Sequence, residues 1–113
     1  MSYLNAGEIP PKTEAGKCWV DEVLQSLVDE VLQSFTGKYS ITKEWIYNSE
    51  RLSYSLVLSI REVDNSSILD RKVIKFFRRE LDNCPNPDNK SAQNSIKKKI
   101  HDELKRLVSQ NSN

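Results

Sequence analysis

The sequence predicts a small α+β domain in which a helix, a β-hairpin and two further helices follow one another. Three observations lead to this class. Apolar residues recur at helical spacing early and late in the chain, two alternating runs lie between those segments, and 113 residues suit one domain. We divide the chain into a flexible arm at residues 1–17, a single domain at 18–110 and a frayed tail at 111–113.

The first helix is predicted over residues 18–35, where the apolar residues form one broad stripe. The run Val-Asp-Glu-Val-Leu-Gln-Ser begins at Val20 and recurs from Val28. Eight helical steps of about 100° overshoot two full turns by about 80°. The repeat therefore widens the apolar face of this helix.

Two alternating runs, at about residues 39–47 and 52–61, predict the strands of a β-hairpin. A loop at 48–51 joins them and sets a register in which apolar side chains meet on one face. The expected pairs are Tyr47 with Leu52, Trp45 with Tyr54, Ile41 with Leu58, and Tyr39 with Ile60. Lys43 then falls opposite Leu56 and is expected to extend its ammonium group to water.

Residues 67–81 predict a second helix, because Ser67 and Asp70 have capping-box spacing and the apolar residues that follow fall on one side. Those apolar residues are Leu69, Val73, Ile74, Phe76, Phe77 and Leu81. Two prolines, Pro85 and Pro87, end this helix.

A last helix is predicted over about 91–108. Its narrow apolar stripe comprises Ala92, Ile96, Ile100, Leu104, Leu107 and Val108.

Composition and charge exclude some classes of protein. No apolar stretch approaches the roughly 18–20 residues that span a bilayer, so we expect no membrane insertion. Residues 1–17 lack the apolar segment of a signal peptide, so a cytoplasmic location is expected, or a nuclear one in a eukaryote. The net charge of +1 conceals an asymmetry: residues 1–36 hold two basic and six acidic residues, whereas residues 71–106 hold eleven basic and five acidic ones.

The sequence contains no motif from which catalysis can be derived. Its single histidine, His101, lies beside Asp102, and neighbours on a helix point about 100° apart, so this carboxylate does not orient the imidazole. Cys18 and Cys84 have no partner at metal-ligand spacing and are expected to be free thiols. We therefore expect no enzyme activity, no cofactor and no metal.

These observations favour a non-enzymatic protein-interaction module, an adaptor or assembly factor. Because a two-stranded hairpin is marginal alone, we expect a homodimer that completes the antiparallel sheet. One candidate interface is an unprotected strand edge formed by Ser53, Ser55, Val57 and Ser59. The competing interface is the helical stripe of Ile96, Ile100 and Leu104.

The alternative hypothesis is a nucleic-acid-binding protein that uses the basic C-terminal helices. Its candidate contacts are Arg78, Arg79, Lys97, Lys98 and Lys99. Phe76 and Phe77 are expected in the core, which removes the exposed aromatic rings that single-strand binders use. Two interpretations of Trp45, Tyr47 and Tyr54 stay open, a core cluster and an aromatic binding platform.

Overall fold

The computed structural model describes residues 10–33, 37–48, 53–65 and 67–111. It contains a helix, a three-stranded antiparallel sheet and two further helices, which confirms the predicted α+β class and the order of its elements. These are α1 (Pro11–Leu32), β1 (Tyr39–Asn48), β2 (Ser53–Glu62), β3 (Ile68–Phe77), α2 (Arg78–Asn83) and α3 (Lys90–Asn111).

The sheet has the order β1-β2-β3, so the middle strand in sequence is also the middle strand in space. The helices cover one of its faces, and the core lies between these two layers. From the sheet, the buried core side chains are Tyr54, Leu56, Leu58, Ile60, Ile74 and Phe76. From the helices they include Val20, Leu24, Leu81, Ile96, Ile100, Leu104, Leu107 and Val108.

The prediction of a helix over 67–81 is wrong for most of its length, because residues 68–77 form β3. Ile74 and Phe76 are buried while their neighbours Val73 and Phe77 are exposed, which is the alternation of a strand. β-Branched and aromatic residues at these positions favour extended backbone, and pairing with β2 decides the outcome. Helix begins at Arg78.

The predicted hairpin register is wrong by two residues. Trp45 lies opposite Leu56 rather than Tyr54, and Tyr47 lies opposite Tyr54. The rings of Tyr47 and Tyr54 stack with centroids 4.8 Å apart. A shift of two keeps every side chain on its predicted face, because side chains alternate with a period of two. Leu52, the predicted partner of Tyr47, lies outside the described residues.

The first helix begins at Pro11 rather than at residue 18, so the predicted arm is wrong for residues 11–17. Proline suits a first helical turn because it needs no hydrogen-bond acceptor there. The hydroxyl of Thr13, which is buried, donates to Asp82 of α2 at 2.6 Å. A Cβ on Gly16 would lie 1.9 Å from the carbonyl oxygen of Leu81, so glycine permits this close approach of α1 and α2. Residues 1–9 and 34–36 lie outside the described part of the chain.

The last helix extends to Asn111, so the predicted frayed tail is wrong at that residue. The Asn111 amide donates to the Asp70 carboxylate at 3.1 Å, and the Tyr39 hydroxyl donates to the Asn111 carbonyl at 3.0 Å. This hydrogen bond from Asn111 is the main cause that lowers the pKa of Asp70. These polar contacts lie beyond the apolar stripe, which ends at Val108. Residues 112–113 lie outside the described range.

Candidate functional site on the open face of the sheet

Because side chains alternate along each strand, the sheet has a helix-covered face and a second face that no described element covers. We call the second one the open face. From β1 it presents Ser40, Thr42, Glu44, Ile46 and Asn48. From β2 it presents Ser53, Ser55, Val57, Ser59 and Arg61. From β3 it presents Ile68, Arg71, Val73, Lys75 and Phe77.

An apolar ridge crosses the centre of the open face. Val57 lies directly opposite Val73, and Ile46 lies opposite Ser55, the next residue of β2 on this face. Ile46 is 50% exposed and Val73 is 52% exposed. We call Ile46, Val57 and Val73 the apolar ridge. Contiguous apolar residues of this kind on a surface are typical of interaction sites.

Basic side chains flank the apolar ridge. Arg61, Arg71 and Lys75 lie on the open face, whereas Glu44 is the single acidic residue among the described residues of that face. Arg61 donates to the hydroxyl of Thr42 at 3.5 Å, and within the described residues Arg71 and Lys75 form no ion pair. A shallow depression of about 540 Å³ lies on this face. The apolar and basic side chains of this face are complementary to a molecule that carries both apolar and acidic groups.

The prediction that Ser53, Ser55, Val57 and Ser59 form a free strand edge is wrong. Ser53, Ser55, Val57 and Ser59 belong to β2, which is hydrogen-bonded to β1 on one side and to β3 on the other. Its backbone is therefore not available to a second copy. The same four side chains nevertheless lie together on the open face, where the sequence pattern could not place them without knowledge of β3.

The predicted helix interface is also wrong. Ile96, Ile100 and Leu104 are buried in the core of the same chain. Their stripe covers the sheet, mainly at β3, and also contacts α1. A helix-to-helix dimer through these residues would have to open the core.

The five predicted nucleic-acid contacts do not form one surface. Lys97 lies over the ring of Trp19 on α1, with 6.0 Å from its ammonium nitrogen to the ring centroid. Lys99 lies on another side of α3, where it contacts Glu80 at 3.3 Å and donates to the carbonyl of Lys75. Arg78 pairs with Asp82 at 3.5 Å. The remaining two, Arg79 and Lys98, are exposed, and like Lys97 they form no ion pair among the described residues.

Phe77 departs from the sequence-based expectation. Phe76 is buried as predicted, but Phe77 is 68% exposed at the end of the open face. Lys75 precedes it on the same face, and Arg78 and Arg79 follow it at the start of α2. The sequence alone could not reveal this ring, because its exposure depends on residues 68–77 being a strand.

The aromatic cluster lies on the helix-covered face, which supports its interpretation as part of the core. Tyr54 is buried, and this burial is the main cause that raises its pKa. The Trp45 indole donates to the Asp21 carboxylate of α1 at 2.9 Å, and its ring lies 5.7 Å from that of Phe76. Lys43 forms an ion pair with the same carboxylate, so its ammonium group attaches β1 to α1.

The described residues contain no group of three or more His, Cys, Asp or Glu side chains that could hold a metal ion. Cys18 is exposed, Cys84 is buried, and both are free thiols. Burial raises the pKa of the Cys84 thiol to about 11, so it is protonated at neutral pH and is a poor nucleophile. None of the described helices has the length and apolar character needed to cross a bilayer.

Comparisons with known proteins add no family to this description. No protein-family model matches the chain, and no curated protein matches it. The fold and the open face define a general class, a small α+β domain with helices on one side of a three-stranded sheet.

Proposed function

We propose that this protein is a non-enzymatic interaction module that binds another protein through the open face of its sheet. The apolar ridge of Ile46, Val57 and Val73 is the observation that carries this proposal. The described chain exposes six large apolar residues, and four of them lie on this face. Those four are Ile46, Ile68, Val73 and Phe77.

Burial of this face is the main driving force that the proposal requires. Removal of apolar surface from water stabilises the bound state by about 25 cal/mol for each Å² buried. The ridge lies on rigid, hydrogen-bonded strands, so little backbone entropy would be lost on binding. A partner that covers the ridge would give the sheet a second packing layer.

The proposal includes self-association at a different place, the outer edge of β1. This edge strand has ten residues and no proline. The other outer edge, on β3, is partly occupied, because Lys99 donates to the carbonyl of Lys75. Pairing two β1 strands would join two sheets and leave both open faces free. Light scattering at about 100 μM should give the mass of a dimer, and a monomer mass would contradict this part of the proposal.

A second candidate function, binding of single-stranded nucleic acid, is favoured by Phe77. An exposed ring among Lys75, Arg78 and Arg79 has the chemistry of a base-stacking position beside phosphate contacts. One feature of the open face favours a protein instead. Its other exposed large residues are aliphatic, and aliphatic side chains do not stack on bases.

The test compares the capture of partners by three forms of the chain in extracts of the source cell, with and without nuclease. Val73→Ser removes part of the apolar ridge. Val63→Ser is the matched control, because Val63 is also 52% exposed but lies beyond the end of β2. We expect Val73→Ser to lose nuclease-resistant protein partners that Val63→Ser and the wild type retain.

Retention of all partners by Val73→Ser would contradict the proposal. Loss of the partners on nuclease treatment of the wild type would favour the second candidate. Circular dichroism of each variant checks the fold, and little change is expected because both valines are exposed.

A further inference from the structure

The charge of the open face indicates the chemistry of its partner, an inference that rests on the proposed function. Three cations and one carboxylate flank the apolar ridge: Arg61, Arg71 and Lys75 against Glu44. Two such faces in isologous contact would bring like charges together, which is unfavourable. A partner with carboxylates beside its apolar groups would instead be complementary.

The backbone hydrogen bonds of the sheet also indicate which secondary structure the partner segment has. Backbone N–H and C=O groups pair between neighbouring strands in the plane of the sheet, with one irregularity at Ile60/Arg61, and they do not point out of the open face. An extended peptide laid across the ridge would leave some of its own N–H and C=O groups buried without partners. A helix satisfies its backbone internally and therefore fits an apolar sheet face.

We propose that the open face binds an amphipathic helix of a partner protein whose apolar stripe is flanked by carboxylates. The apolar stripe would cover Ile46, Val57 and Val73, and the carboxylates would meet Arg71 and Lys75. Ten-residue strands are about 33 Å long, which corresponds to about 20 residues of helix. The complex would have three layers, with the sheet between the chain's own helices and the partner helix.

The probe is a synthetic helical peptide of about 20 residues, with leucine along one stripe and glutamate on both flanks. One matched peptide replaces every glutamate by lysine, and another replaces every leucine by serine. A single-stranded oligothymidylate tests the nucleic-acid alternative. Fluorescence anisotropy measures binding of each probe to the full chain. We expect the acidic amphipathic peptide to bind, and the two altered peptides to bind at least about tenfold more weakly.

The decisive variant is the double substitution Arg71→Glu with Lys75→Glu, which reverses two charges of the open face. Its matched control, Lys98→Glu with Lys105→Glu, makes the same change of net charge on exposed positions of α3. We expect the first variant to weaken binding of the acidic peptide by about tenfold or more, and the control to change it by less than about twofold. Wild-type binding should weaken with added salt, because screening shortens the reach of the charges.

The outcomes separate this inference from the proposed function. A dissociation constant for the acidic peptide weaker than about 1 mM, or equal binding of the lysine peptide, would overturn the inference. If Val73→Ser loses cellular partners while Arg71→Glu with Lys75→Glu retains them, the protein-binding function stands and the acidic helix is wrong. Tighter binding of the oligothymidylate, lost in the same charge-reversal variant, would overturn both in favour of nucleic acid.

Discussion

The two faces of the sheet are built from the same three strands, but the side chains of one face are more buried and those of the other are more exposed. On β3, Ile74 is 2% exposed and Val73 is 52% exposed, although the two residues are adjacent and chemically alike. Phe76 and Phe77 repeat this contrast with identical side chains. The chemistry of a side chain therefore does not decide its burial here. The side of the sheet on which the helices pack decides it.

The strongest test of this contrast substitutes the two phenylalanines in turn. Phe76→Ala removes a ring from the core and should cost about 3–5 kcal/mol of unfolding free energy. Phe77→Ala removes an exposed ring and should change the unfolding free energy by less than about 0.5 kcal/mol. Urea titrations of both variants measure the two values. Equal losses would show that Phe77 is packed and that the open face is covered in solution.

The helix layer that creates the contrast depends on the close approach of α1 and α2 at Gly16. An added methyl group would overlap the carbonyl of Leu81, so Gly16→Ala should destabilise by about 1–3 kcal/mol. This loss would occur although alanine has the higher helix propensity by about 1 kcal/mol. Thermal unfolding measures the change. A stabilised variant would mean that α1 does not contact α2 at this point.

The two thiols differ in exposure, and we expect a smaller effect from this difference. An alkylating reagent at neutral pH should label Cys18 and spare Cys84, and both should react once the chain is unfolded. Mass spectrometry of the labelled chain measures the labelling.

The buried thiol should also make stability depend on pH. The pKa of Cys84 is raised from 9.0 to about 11 in the fold. The contribution of Cys84 to stability is therefore complete below about pH 9 and is lost as the pH rises toward 11. Cys84→Ser should flatten the alkaline loss of stability, whereas Cys18→Ser should leave it unchanged.

The sequence predicted those features that depend on local periodicity. The α+β class, the order of elements and the faces of the hairpin all follow from spacings of two or of three to four residues. The same spacings could not identify β3, because the pairs Val73-Ile74 and Phe76-Phe77 fit one side of a helix as well as they fit a strand. Pairing with β2, which is remote in sequence, made the choice between the two.

The candidate site could not be predicted because the sequence does not decide whether residues 68–77 form a helix or a strand. With residues 68–77 assigned to a helix, β2 has a free edge and Phe77 belongs to the core. With those residues in a strand, the edge is closed, and Val73 joins Val57 and Ile46 in the apolar ridge. The hairpin register failed for a related reason, since it depends on the connection between the strands and not on their alternation.

Site-specific photocrosslinking shows directly whether the open face contacts another protein in the cell. A photoreactive amino acid replaces Val73 on the open face or, in the control, Val63 beyond the end of β2, and the chain is irradiated in the source cell. We expect a protein adduct from position 73 and none from position 63, which has the same exposure. Adducts of equal yield at both positions, or none at position 73, would contradict a binding function for the open face.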